Sequence, residues 1–218
     1  MSRCAVVVFP GSNCDQDALW AWGEGAVPVW HQESRLPDVD AVILPGGFAY
    51  GDYLRAGALA RFSPIMADVR RVAADGMPVL GICNGFQVLC EAGLLPGALA
   101  KNAGIAFRCQ SVEVEVADGD TAWTRGMAPG TRLRLPIAHG EGRYWSPDAV
   151  RVAFRYVGEN PNGSMDAIAG VSNAAGNVVG LMPHPERAAA SVLGGCDGLR
   201  ILGAVRDRPA VALKGARA

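Results

Sequence analysis

Gly81-Ile82-Cys83-Asn84-Gly85 sets a sulfur nucleophile between small residues. A continuous apolar run leads into it, and Phe86-Gln87-Val88-Leu89-Cys90 can open a helix behind it. Strand, sharp turn, nucleophile and helix in that order make the cysteine version of a nucleophile elbow. Each part has a physical task. Small neighbours permit a strained turn. The helix start places positive potential near the sulfur and favours the thiolate. Backbone N–H groups at that start can receive an oxyanion. The same five residues also fit a buried cysteine in a glycine-rich turn.

A thiolate nucleophile needs a base, and the chain has three histidines. His184 lies in Met182-Pro183-His184-Pro185-Glu186-Arg187, directly after an apolar run. Pro185 pushes His184 towards an extended conformation. In extended chain, residues i and i+2 share a side, so the Glu186 carboxylate can orient the His184 imidazole. His139, in Ala138-His139-Gly140-Glu141-Gly142, reads as part of a polar glycine-rich loop that either contacts substrate or is structural. His31, beside Gln32 and Glu33, reads as a solvated loop residue. Pro45-Gly46-Gly47-Phe48 follows another apolar run, where a backbone N–H can approach a ligand at the carboxyl end of a parallel strand.

Other chemistries find no support in the spacing. The chain carries neither a GxxxxGK[ST] loop nor a GxGxxG after a strand, so neither nucleotide-binding mode is expected. No paired-histidine or clustered-carboxylate metal pattern occurs, and no metal is expected. The six cysteines form no CxxC pair. Cys90 is two helical turns beyond Cys83 and reads as core. Cys4, Cys14, Cys109 and Cys196 also read as structural, most of them as buried hydrophobes.

The elements that must hold these residues are legible from periodicity. Residues 5–9, 41–44 and 78–82 are short apolar runs bounded by glycine or proline, the pattern of strands buried on both faces. Helical spacing occupies residues 15–24. It recurs after Ser63-Pro64, which reads as an N-cap and first-turn pair, and Gly76 stops that second helix. Residues 111–116 alternate valine with glutamate, a half-exposed strand, and residues 132–136 and 151–156 look similar. Residues 168–173 and 178–182 flank a hairpin turn, and Leu199, Ile201, Leu202 and Val205 mark a final helix. Strands alternating with helices predict a doubly wound α/β sheet, mostly parallel with an antiparallel extension. No linker or repeat interrupts the pattern, so one domain over residues 1–218 is expected.

Composition agrees with a folded core. Of 218 residues, 50% are hydrophobic and 19% charged, which excludes a disordered chain. Twenty basic residues against 21 acidic ones argue against nucleic acid or a polybasic membrane contact. Neither a signal peptide nor a membrane span is apparent, and a cytosolic protein is expected. The sequon at Asn162 carries no meaning there.

Together these pieces resemble the triad-type (class I) glutamine amidotransferases, whose fold is a flavodoxin-like three-layer sandwich. The signatures are Gly81-Ile82-Cys83-x-Gly85-x-Gln87, the Pro45-Gly46-Gly47 turn and His184-Pro185-Glu186. Within that family the chain is similar to the small glutaminase subunits of phosphoribosylformylglycinamidine synthase. The marks are Phe9-Pro10-Gly11-Ser12-Asn13-Cys14-Asp15, Tyr50-Gly51-Asp52-Tyr53-Leu54-Arg55-Ala56-Gly57, and Asn84 and Phe86 in the elbow. Further marks are Lys101-Asn102, Phe107-x-Cys109, His139-Gly140-Glu141-Gly142-Arg143-Tyr144 and Asn160-Pro161-Asn162-Gly163-Ser164. Lys101 stands where the family pattern has arginine, and the tail from Arg208 matches nothing.

The resemblance implies that Cys83 attacks the glutamine side-chain amide and forms a thioester. Backbone N–H groups of Gly47 and Asn84 would hold the oxyanion. His184 would act as base and then acid, oriented by Glu186, while Gln87 and His139 would hold glutamine. The chain itself would need no cofactor. ATP and Mg2+ would belong to a large synthetase subunit that takes the ammonia to convert formylglycinamide ribonucleotide to formylglycinamidine ribonucleotide. A small accessory subunit would complete the complex, and the free glutaminase would be nearly silent. Three other readings stand beside this one: an amidotransferase subunit serving another ammonia acceptor, a cysteine hydrolase acting alone, and a non-catalytic subunit on the same fold. Asn84, Phe86 and residues 160–164 oppose the first, Gln87 with His184-Pro185-Glu186 the second, and the presence of both Cys83 and His184 the third.

Overall fold

Val6-Val7-Val8, Val42-Ile43-Leu44 and Val79-Leu80 are apolar on both sides of the pleat, so the fold must cover both faces of the sheet they form. The computed structural model, which describes residues 2–208, does so. Its first half runs β1 (Cys4–Val8), α1 (Asp15–Trp22), β2 (Ala26–Trp30), β3 (Ala41–Leu44), α2 (Ile65–Ala74), β4 (Val79–Ile82) and α3 (Asn84–Glu91). The second half is mainly strand: β5 (Ala98–Ala100), β6 (Arg108–Val116), β7 (Arg132–His139), β8 (Arg143–Trp145), β9 (Arg151–Tyr156), β10 (Ile168–Ser172) and β11 (Val178–Leu181). Helix α4 (Gly198–Arg206) follows.

One nine-stranded sheet has the order β2-β1-β3-β4-β11-β10-β9-β6-β7. Strands β2, β1, β3, β4 and β11 pair in parallel. From β11 onwards every pairing is antiparallel. The architecture is therefore the doubly wound sheet with antiparallel extension that the alternation of elements predicts. Helix α1 packs on β1 and β2 and against α4, while α3 packs on β3, β4 and β11. In the extension Val112, Val114 and Val116 are buried, as are Leu133, Leu135 and Ile137 of the neighbouring strand, and Glu113 faces out.

The register positions the site. Leu44 lies beside Gly81, and Leu181 beside Ile82. The carboxyl ends of β3, β4 and β11 therefore release the Pro45-Gly46-Gly47 turn, Cys83 and the His184 segment at one edge of the sheet. That edge is where open α/β sheets bind ligands.

Several expectations change. Ser63 does not cap α2: its hydroxyl meets His31 Nδ1 at 3.2 Å and the Tyr50 hydroxyl at 3.0 Å. His31 is accordingly buried rather than solvated, with the Tyr50 hydroxyl 2.9 Å from Nδ1. His139 ends strand β7 instead of lying in a loop, because the strand expected over 132–136 continues to it. Helix α1 stops at Trp22, short of Glu24, with Gly23 at its C-cap. Cys109 and Cys196 are exposed, against the burial expected of most cysteines. The two-stranded sheet of β5 and β8 was not expected, since three residues are too few to show alternation. The segment beyond residue 208 lies outside the described residues. Among the described residues no helix is long and apolar enough to cross a membrane.

Candidate active site

Cys83 sits between β4 and α3 with φ +49° and ψ −104°, a backbone region that L-residues rarely occupy. The conformation is held from both sides. Its N–H donates to Leu181 O at 2.8 Å, and its carbonyl accepts from Gln87 N at 3.2 Å. Gly85 closes the turn against β3, where any Cβ would collide with the Leu44 carbonyl. The elbow is thus real, and its strain is imposed by two neighbouring strands. The thiol lies 3.9 Å from Ala138 O.

Across from it stands the Pro45-Gly46-Gly47 turn. Asn13 N and Cys14 N both donate to Gly46 O, at 3.2 and 3.1 Å, and Phe48 N donates to Gly11 O at 2.9 Å. These bonds clamp the turn to residues 11–14. Gly47 has φ +145°, and a Cβ there would lie 2.6 Å from Asn13 N, so only glycine fits. Asn84 is the first residue of α3, so its N–H is one of the donors a helix start leaves free.

His184 is extended, with φ −103° and ψ 92°, as Pro185 requires. Glu186 is not extended. It lies in a 3-10 turn over Pro185–Arg187, and that turn, rather than strand alternation, brings its Oε1 to 2.6 Å from His184 Nδ1. Both side chains are essentially out of water, and His184 N–H is tied to Pro136 O at 2.8 Å. Burial opposes charge on the ring, but the Glu186 carboxylate outweighs it, with help from Cys83 and Cys14. The imidazole pKa is held well above its usual value. With Nδ1 donating to Glu186, Nε2 has no hydrogen-bond partner within the protein. It is the nitrogen free to accept the Cys83 proton.

Around this pair the fold gathers residues from distant segments. Asn84 Oδ1 accepts from Ala49 N at 3.0 Å, and its amide donates to Asp52 Oδ1 at 3.2 Å and Gln87 Oε1 at 2.9 Å. Gln87 Nε2 donates to Glu141 O at 2.6 Å. Gln87 and Asn84 therefore tie the loop after β3 and the loop after β7 to the nucleophile helix. His139 Nδ1 meets Asn102 Oδ1 at 3.1 Å, while its Nε2 is buried without a partner. Burial, then the neighbouring His184, pushes the His139 pKa down to about 4, so the His139 ring is neutral around pH 7. Asp52 moves the other way: burial and the facing Glu141 raise it to about 6, against the Asn84 hydrogen bond.

Two residues at the site escaped the residue-level reading. Asp52 belongs to the Tyr50-Gly51-Asp52-Tyr53 motif, whose residue types alone give it no role. Cys14, read as structural, lies against the His184 ring. Burial raises the Cys14 thiol pKa, contact with His184 opposes that, and Glu186 and Asp17 add to it. No local spacing could reveal this contact, because most of the chain separates the two residues.

A sequence model of the CobB/CobQ-like glutamine amidotransferase domain matches residues 1–196. Phosphoribosylformylglycinamidine synthase subunit PurQ of Thermomicrobium roseum is 57% identical, over 93% of this chain and 94% of that protein. The subunit of the same name from Trichormus variabilis is 54% identical, over 91% of this chain and 94% of that protein. Among solved structures, a chain of PurLQS from Thermotoga maritima superposes with a TM-score of 0.89 at 47% identity, covering 95% of this chain and 99% of that one. The chain belongs to the CobB/CobQ-like glutamine amidotransferases, in the branch of phosphoribosylformylglycinamidine synthase PurQ subunits.

Proposed function

We propose that this chain, as one glutamine amidotransferase domain over residues 1–218, hydrolyses glutamine and passes the ammonia to a formylglycinamidine ribonucleotide synthetase. The observation that carries the reading is a strained cysteine at a helix start beside a buried His184–Glu186 pair. His184 Nε2 takes the Cys83 proton, and the Glu186 carboxylate stabilises the imidazolium. The thiolate attacks the amide carbon and forms the C–S bond. The oxygen turns into an oxyanion received by the N–H groups of Gly47 and Asn84. Imidazolium then returns its proton to the amide nitrogen, the C–N bond breaks and ammonia leaves. Water, deprotonated by the same ring, releases glutamate from the thioester. Gln87 and His139 are assigned to holding glutamine, Gln87 through the loop it anchors. The chain uses no metal or cofactor in this chemistry. ATP and Mg2+ act on the large synthetase subunit, with a small accessory subunit completing a cytosolic complex.

The test is glutamate release with and without both partner subunits and their substrates. Strong turnover only in the full mixture is expected. Cys83→Ala should abolish glutamine-dependent synthesis and spare synthesis driven by added ammonia. Surviving glutamine-dependent turnover in that variant would remove Cys83 from the mechanism. Silence of the full wild-type mixture would overturn the assigned acceptor.

A further inference from the structure

We infer that Cys14, His184 and Glu186 form a binding site for one soft divalent cation of the zinc class, and that its occupancy shuts off the catalytic base. One donor atom from each residue lies within 4.8 Å of the other two, and all three residues are buried. Sulfur, imidazole nitrogen and carboxylate oxygen are the donors zinc takes, three from the protein and one open position. A second observation points to a ligand. Glu186 Oε2 is buried and has no hydrogen-bond partner, an acceptor left over once Oε1 has met His184 Nδ1.

The geometry selects Nδ1 as the nitrogen. From the point where a Cβ on Gly46 would stand, His184 Cε1 is 2.6 Å away, Nδ1 3.2 Å and Cys14 Sγ 3.4 Å. Sulfur and Nδ1 thus lie together against Gly46, and the Glu186 oxygen is already on that nitrogen. Tetrahedral zinc separates such donors by about 3.2–3.8 Å, so adjustments of about an ångström suffice. Binding displaces the thiol proton of Cys14 to solvent and shifts the single ring proton from Nδ1 to Nε2, with no redox change. A metal on Nδ1 leaves the ring proton on Nε2, which can no longer accept from Cys83. The consequence for glutamine turnover rests on the proposed glutaminase reading; the binding itself does not.

Zinc affinity and stoichiometry would be measured on the full chain against a chromogenic chelator, with Cys109 and Cys196 changed to serine to remove the exposed thiols. One equivalent should bind, and Cys83→Ala should bind it equally well. Cys14→Ala should weaken binding at least about 100-fold. Should the alanine variant not fold, Cys14→Ser carries the same comparison. Cobalt in place of zinc should show a sulfur-to-metal charge-transfer band that Cys14→Ala loses and Cys83→Ala keeps. Undiminished zinc binding by the Cys14 variant, loss of binding on Cys83→Ala, or no stoichiometric binding by the parent chain would each overturn the inference. All readings are taken without turnover, so failure of the glutaminase assignment leaves them interpretable.

Discussion

Glu186 holds its charge on a buried imidazole at 2.6 Å, so Glu186→Gln keeps the shape and removes the charge. An amide can present either its oxygen or its NH2 to Nδ1, and the imidazolium loses its counter-charge. Glutamine turnover in the assembled complex should fall about 10³–10⁴-fold, with KM little changed. Equal turnover of variant and parent would detach Glu186 from the chemistry. Asp52 allows a prediction with a definite pH sign. Its pKa is raised from 3.8 to about 6, so the folded state holds a proton that the unfolded state has released between those values. Its ionisation therefore destabilises the fold as pH rises through that window. Half-exposed, the group is worth about 1 kcal/mol after screening. Asp52→Asn keeps an acceptor for the Asn84 amide and should raise Tm by about 2–4 °C at pH 7.5, with no gain near pH 3.5. Equal shifts at both pH values would contradict a titrating Asp52. At this scale the sequence displayed the triad's residue types but not their contacts. Proline neighbours disclosed the extended His184, whereas the 3-10 turn under Glu186 and the approach of Cys14 depend on tertiary packing.

Helix α3 and strands β3 and β4 act as one unit, because the elbow exists only while α3 sits directly on β3. Gly85 sets that distance: its Cα faces the Leu44 carbonyl with no room for a methyl group. Gly85→Ala should therefore push α3 outward and cost about 3 kcal/mol or more in urea unfolding. The variant's glutaminase should be lost together with the stability, since the same shift moves Cys83. Unchanged unfolding would mean that the helix is not seated as described. Elements buried on both faces were legible as continuous apolar runs, and the half-exposed strands as alternation. Boundaries failed where tertiary bonds extend or replace local ones. Strand β7 continues to His139 because it pairs with β6 as far as Arg108, and Ser63 leaves its expected cap for His31 and Tyr50.

The whole molecule divides its labour along the sheet: loops at the carboxyl ends of the parallel strands carry the chemistry, and the antiparallel extension lends Pro136, Ala138 and His139 to their far side. Chain order alone cannot show this, since β11 comes last among the strands yet inserts between β4 and β10. The cysteines sample the arrangement at several depths. Cys109 and Cys196 are exposed, Cys90 is half-buried, and Cys4 is fully buried on β1, between β2 and β3. Burial also pushes the thiols of Cys4 and Cys90 up, which disfavours the reactive thiolate. Alkylation of the Cys83→Ala chain, followed residue by residue by mass spectrometry, should modify Cys109 and Cys196 first. Cys4 can react only after β1 leaves the sheet, which requires opening close to global unfolding. With a domain stability of at least about 5 kcal/mol, its labelling should run at least about 10³-fold slower than that of Cys109. Adding urea should accelerate Cys4 in step with unfolding and leave Cys109 nearly unaffected. If Cys4 reacted as fast as the exposed thiols in native buffer, β1 could not be an interior strand paired on both sides, with β2 and β3.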